Sequence, residues 1–187
     1  MSTFPSTARA VVIGCGIVGN SLAYHLTELG WDDVVLIDKG PLPNPGGSTG
    51  HASNFIFPVD HNKEMTMLTL ESQRQYVALG VNTECGGIEV ARTEERMEEL
   101  RRRMASAKAW GIDSARLVTP AEIKELVPFI DESIALGGFH CPTVSVVDSL
   151  RAGTIMRERA VESGRLSVFA TTEVSGMDVE GGRIRRV

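Results

Sequence analysis

The chain has 187 residues, of which 42 % are hydrophobic and 23 % charged, and a formal net charge of −5. This is the balance of a globular chain long enough to bury a core, and its mild acidity gives no electrostatic hold on nucleic acid or an anionic membrane. No apolar run nears the ~20 residues of a membrane-crossing helix.

Ala8-Arg9-Ala10-Val11-Val12-Ile13 is small, β-branched and nearly uninterrupted, which predicts a buried central parallel strand. Gly14-Cys15-Gly16-Ile17-Val18-Gly19 follows at once as G-x-G-x-x-G. Gly14 permits the tight turn, Gly16 lets phosphate approach the backbone, and Gly19 lets a helix press on the sheet. That helix is expected from Ile17 to Leu29, with Val18, Leu22, Leu26 and Leu29 on one face and Gly30 as its stop. The amides of Ile17 and Val18 are expected to point outward, unpaired, at the positive end of the helix dipole, where they suit a pyrophosphate. Val34-Val35-Leu36-Ile37 reads as a second buried strand. It ends in Asp38, 24 positions after Gly14 and near the interval of about 20 for an acid that accepts from ribose hydroxyls. Such an acid disfavours NADP. Lys39 beside it either lines the adenosine site or is a plain surface lysine. FAD and NAD both fit this much.

An NAD domain would continue into another crossover helix. Here Gly40-Pro41-Leu42-Pro43-Asn44-Pro45-Gly46-Gly47 excludes regular structure. Ser48-Thr49-Gly50-His51-Ala52 then offers hydroxyls, amides and a nucleophilic imidazole. Taken alone, His51 reads better as a loop histidine that caps or hydrogen-bonds than as an attachment point.

Downstream, residues 62–79 predict a helix with Met65, Leu68, Ser72, Tyr76 and Leu79 on one face, its methionines filling core. Residues 85–91 predict a strand, and Thr93 the N-cap of a helix over 94–110. Its Glu98–Arg102 and Glu99–Arg103 pairs and its three consecutive arginines describe a solvated charged face rather than a phosphate site. Thr119 caps a short helix that has Pro120 at its first position. His140, beside Cys141 and Pro142, reads as a turn after a strand, because no base or acid stands at a catalytic spacing. A helix is expected over 146–164 with Val147, Leu150, Thr154, Met156 and Ala160 as its stripe, then a third parallel strand over 166–170. Residues 173–178 and 183–187 read as a hairpin about Glu180-Gly181-Gly182. Cys15, Cys85 and Cys141 have neither metal-ligand spacing nor an even number, so they read as packing residues in a reducing cytoplasm. Only about seven residues precede the first expected strand, shorter than a secretory or transit segment, which also gives a cytoplasmic expectation.

The glycine motif, Asp38 and the GGSTGHA run ending at Ala52 resemble the glycine-oxidase/D-amino-acid-oxidase class of flavoproteins. Within it they resemble the dimethylglycine oxidase and sarcosine/dimethylglycine dehydrogenase branch. The likeness continues through AWGI (109–112), LVTPAEIKEL from Leu117 and LGGFHCP from Leu136. It implies FAD bound covalently through the flavin 8α-methyl group to His51, with the amides of Ile17 and Val18 on the pyrophosphate. It also implies Asp38 and Lys39 at the adenosine, Ser48, Thr49 and Gly50 along the cofactor, Phe55 near the flavin and the backbone of Val174 beside adenine. The family usually has glycine three residues after the histidine. Here that residue is Asn54, the next best residue at positive φ.

The fold class expected is α/β, a Rossmann-like FAD-binding domain with a parallel sheet, over residues 1–60 and 145–187. It is interrupted at 61–144 by a helix-rich insertion contributing to a substrate domain. Because the last expected strand ends the sequence, the chain is read as the N-terminal part of a longer enzyme, inactive alone, with its catalytic acid or base beyond residue 187. By resemblance, that enzyme oxidises an N-methyl amine such as dimethylglycine or sarcosine. Hydride passes to the flavin, and the iminium carbon leaves as formaldehyde or passes to tetrahydrofolate in a further domain. The electron acceptor, oxygen or a carrier protein, stays open. Two alternatives stand beside this reading: oxidation of a different secondary amine or amino acid, and a non-catalytic nucleotide-binding module.

Overall fold

The computed structural model describes residues 4–60 and 62–187. In chain order the elements begin with β1 (Ala10–Ile13), α1 (Ile17–Glu28), β2 (Val34–Ile37), a 3-10 turn (Ser48–His51), β3 (Phe55–Ile56), α2 (Lys63–Leu79), β4 (Asn82–Glu84) and β5 (Gly87–Ala91). There follow α3 (Glu94–Ala109), β6 (Arg116–Val118), α4 (Pro120–Leu126), a 3-10 turn (Glu132–Ile134), β7 (Gly137–Cys141) and β8 (Ser145–Val147). The last are α5 (Ser149–Glu162), β9 (Leu166–Phe169), β10 (Asp178–Glu180) and β11 (Arg183–Arg186). They form two compact units, residues 1–53 with 148–187, and residues 54–147.

The first unit is α/β, as its sequence predicts. β1 pairs with β2 and β2 with β9, all parallel, so Ala10, Val34 and Leu166 stand in line across the sheet. β2 is the central strand and is buried along its whole length. β1, expected at the centre, is an edge of this sheet, and only Val12 of its four residues is buried. Strand side chains alternate between faces. Val12, Val34, Leu36 and Leu166 pack against Ala23 of α1 and Ala160 of α5. Val11, Ile13, Val35 and Ile37 face the other way.

α1 buries a different stripe from the one expected. Asn20, Ala23 and Thr27 are inside and Leu26 packs, partly buried, against the same core, whereas Val18, Leu22 and Leu29 are half or more exposed. Its end follows the expectation: Gly30 has φ 82°, its N–H donates to the Thr27 carbonyl, and the Trp31 N–H to the Leu26 carbonyl. These are the two bonds of a Schellman cap. α5 starts later than expected, at an Asp148 cap that accepts from the Arg151 N–H, because Val147 ends β8. It buries Ser149, Ala152, Gly153, Met156, Arg157 and Ala160. β10 and β11 form the expected hairpin, but β10 starts at Asp178, and residues 173–177 are irregular.

The second unit holds two antiparallel sheets, ordered β3-β8-β4 and β5-β7-β6. Residues 54–60 and 145–147, read from sequence with the nucleotide-binding part, lie here because β3 pairs with β8. Its core gathers Val59, Leu100, Phe139, Cys141 and Val144. α2 turns Thr66 inward and leaves Met65, Met67 and Leu68 exposed, so these methionines do not fill core. On α3 the expected i,i+4 pairs give way to Glu98–Arg101 and Arg96–Glu99. Arg103 turns inward to Glu89 of β5. Thr93 and Thr119 cap as expected, and Glu122 completes a capping box with Thr119. Cys85 is exposed, unlike Cys15 and Cys141. Among the described residues no helix is long and apolar enough to cross a membrane.

Candidate cofactor site

The site is built around the turn from β1 into α1. Gly14 has φ 107°, and its N–H donates to the Ile37 carbonyl at 2.7 Å, which closes the turn onto β2. A Cβ on Gly19 would stand 1.8 Å from the Gly14 carbonyl oxygen, so only glycine lets α1 follow so closely. A Cβ on Gly16 would meet Thr49 Oγ1 at 3.0 Å, in the space where a phosphate would approach the backbone.

Asp38 holds the turn from the end of β2. Its Oδ2 accepts from the Cys15 N–H at 2.6 Å and its Oδ1 from the Gly40 N–H at 2.7 Å. A carboxylate oxygen has more than one lone pair, so acceptor capacity remains. The segment after β9 is tied to the same place, since the Thr172 N–H donates to the Asp38 carbonyl and the Thr171 N–H to that of Gly40. Val174, half-buried, follows two residues later.

The irregular loop 40–47 leads into the Ser48–His51 turn. Thr49 Oγ1 accepts from the Ile17 N–H at 2.9 Å, and the Thr49 carbonyl accepts from Ser149 Oγ at 3.1 Å. The expectation that the Ile17 amide stands unpaired is therefore corrected: a hydroxyl from 32 positions away meets it. His51 ends the turn and is exposed. A cleft of about 280 Å³ runs between these parts, lined by Gly14, Gly16, Asp38, Lys39, Asn44, Ser48, Thr49 and Gly50. Cys15 lies beneath it. Burial, with the Asp38 carboxylate adding to it and Arg157 opposing, pushes its thiol up to about 11, so it stays a neutral packing group.

A larger cavity, about 600 Å³, lies on the sheet face away from α1 and is lined by Val11, Ile13, Val35, Ile37 and residues of the terminal hairpin. It includes no residue of the glycine turn, so the smaller cleft is the candidate site. His140, expected in a turn, lies within β7. Burial, and then the Arg116 charge, lowers its pKa, and its Nδ1 is buried without a partner among the described residues.

Residues 9–187 match the DAO family, described as FAD dependent oxidoreductase. The chain belongs to this family of FAD-dependent oxidoreductases. It is 28 % identical over 190 residues to the mitochondrial pyruvate dehydrogenase phosphatase regulatory subunit of Mus musculus, a match covering 98 % of this chain and 21 % of that protein. It is 30 % identical over 184 residues to mitochondrial sarcosine dehydrogenase of Mus musculus, covering 94 % and 20 %. The crystal structure of L-proline dehydrogenase from P. horikoshii superposes with a TM-score of 0.88 at 26 % identity, covering 97 % of this chain and 49 % of that one. The DAO chain thus spans about a fifth of these curated relatives and half of the solved one.

The residues present fit the diphosphate end of FAD. The Gly16 backbone is bare where any Cβ would crowd Thr49, and the cleft opens at the start of α1 with two hydroxyls and a lysine around it. Of the sequence-predicted residues, Gly14, Gly16, Asp38, Lys39, Ser48, Thr49 and Gly50 share the cleft, with His51 next in the same turn. Gly19 supports the turn from behind, the Val18 side chain is exposed, and Phe55 belongs to the second unit. Sequence reasoning missed Asn44, Asn20, Ser149 and Arg157. A polar Asn20 three residues before Ala23, on the small-residue face of the expected helix, is the signal available for one of them.

Proposed function

We propose that the protein containing this chain oxidises a small N-methyl amino acid of the sarcosine or dimethylglycine kind, with FAD joined to His51. The observation that carries this is Thr49: one four-residue turn both receives the Ile17 amide at the start of α1 and presents His51. The relation to sarcosine dehydrogenase supports the substrate class. Bound there, the flavin supplies the two-electron oxidation of the substrate's C–N bond.

This chain's own residues bind and orient. The backbone at Gly16 and the hydroxyls of Ser48 and Thr49 receive diphosphate and ribityl oxygens, and the free lone pairs of Asp38 receive ribose hydroxyls, with Lys39 beside them. The Val18 amide adds a donor at the helix start, and the Val174 backbone lies at adenine. The imidazole of His51 would supply the nucleophilic nitrogen for the bond to the flavin 8α-methyl carbon, which gives up a proton while the flavin ring takes the electron pair. Residues 61–144 contribute to the substrate domain.

The test is denaturing precipitation of the purified protein. Yellow colour stays with the polypeptide, and His51→Ala releases it; flavin fully extractable from the wild type would end the covalent reading. A second reading, a regulatory module without turnover, is favoured by the match to the phosphatase regulatory subunit over 98 % of the chain. Flavin bleaching by sarcosine, dimethylglycine or L-proline separates the two, since a regulatory module bleaches with none.

A further inference from the structure

Behind the glycine turn lies a charge that none of these roles uses. Arg157, on the inner side of α5, is 8 % exposed, yet its guanidinium bonds neutral oxygens: Nη1 donates to Asn20 Oδ1 at 3.3 Å and Nη2 to Thr154 Oγ1 at 3.4 Å. Among the described residues it enters no ion pair. A buried cation with neutral hydrogen-bond partners has no carboxylate in contact, and although Asp38 acts on the same turn with the opposite sign, surroundings of low dielectric carry the Arg157 field farther than water does.

Its link to the turn runs through Asn20. The Asn20 side chain accepts from Arg157 with its oxygen and donates with its nitrogen to the Cys15 carbonyl at 2.6 Å. Arginine has only donors, so its presence fixes which end of the amide faces the turn. In a trans peptide the C=O and N–H point opposite ways. A Cys15 carbonyl drawn inward therefore turns the Gly16 N–H outward, toward the cleft. Gly153 makes room for this bridge, since a Cβ there would lie 2.9 Å from Asn20 Nδ2. The charge is felt at the turn itself, where Arg157 acts on the Cys15 thiol against burial and Asp38.

We infer that Arg157 is the buried counter-charge of the dinucleotide's diphosphate, and that Asn20 couples it to the glycine turn. Arg157 is a positioning residue, acting through Asn20 and through its field. The inference rests on reading the cleft as a diphosphate site, and its test separates the two.

The protein, prepared free of flavin from riboflavin-starved cells, is titrated calorimetrically with ADP and with adenosine, which differ by the diphosphate alone. Arg157→Gln keeps a donor for Asn20 and removes the charge. ADP then binds about tenfold more weakly, which is roughly 1.4 kcal/mol, while adenosine stays within about twofold. Arg157→Lys restores most of the ADP affinity. Equal losses for both ligands, unchanged ADP binding, or no rescue by lysine would overturn the inference. Asn20→Asp is the second arm should the glutamine variant not fold: it gives Arg157 a carboxylate and cancels its field, so ADP weakens at least as much, and ADP binding like the wild type's overturns the inference. A wild type that binds ADP no better than adenosine rejects the diphosphate site itself, an outcome visible before any variant is made.

Discussion

Gly19 and Asn54 mark two extremes of what one backbone position demands. At Gly19 a single added carbon would lie 1.8 Å from a backbone oxygen that cannot move without opening the turn. Gly19→Ala is expected to cost about 3 kcal/mol or more in urea unfolding and to abolish ADP binding; stability and binding at wild-type level would show that the turn tolerates a Cβ. Asn54 has φ 59°, so Asn54→Gly should stay within about 0.5 kcal/mol, whereas Asn54→Val, strained in the left-handed region, should lose about 1–2 kcal/mol. Such positions were legible where their cause is local or a family pattern marks them. The glycine motif and the Thr93 and Thr119 caps each depend on residues within a few positions, and the positive φ at Asn54 follows from the glycine that the resembling family usually has there. The Ile17 amide was not legible, because its partner Thr49 comes from a separate loop whose path no local pattern specifies.

Helix faces were harder to read than helix existence. On α1 hydrophobicity alone points to a stripe of which only Leu26 packs on the core, whereas close approach to the sheet and to α5 selects small side chains. Ala23 fits under β2, and Asn20 fits against Gly153, where Leu22 would not. On α3 the misreading concerned charge. Arg103 has only 17 % of its side chain exposed, bonds both Glu89 Oε1 and the Val59 carbonyl, and lies 5.0 Å from the Phe57 ring centroid. Arg96 joins Glu89 as well, so one carboxylate on β5 anchors two turns of the helix. Removing it strands a largely buried cation. Glu89→Ala should therefore destabilise by about 3 kcal/mol, against less than about 0.5 kcal/mol for Glu98→Ala, whose partner Arg101 is exposed. Thermal or urea unfolding of the two variants decides it: equal, small effects would mean that the Val59 carbonyl and the aromatic rings hold Arg103 without the acid.

At the scale of the molecule, the βαβ order of the first unit followed from the sequence because parallel strands joined by helices admit few arrangements. The unit boundaries shifted because β3 has only two residues, too short for a periodic signal, and is specified by pairing with β8 far along the chain. Each unit has its own core, and each core has one of the two tryptophans against it. Trp31 packs on the Val12–Leu36 cluster with the Arg9 guanidinium 4.2 Å above its ring, and Trp110 packs on the cluster around Leu100 and Phe139. Within residues 1–187, Trp110→Phe therefore leaves Trp31 as the fluorescent reporter of the first unit, and Trp31→Phe leaves Trp110 as that of the second. The glycine turn lies in the first, and a ligand present at 100 times its Kd stabilises what it binds by about 2.7 kcal/mol. ADP added at that excess to the flavin-free protein should raise the urea midpoint seen by Trp31. A rise confined to Trp110 would put the nucleotide in residues 54–147 and reject the cleft between Gly16 and Thr49 as its site.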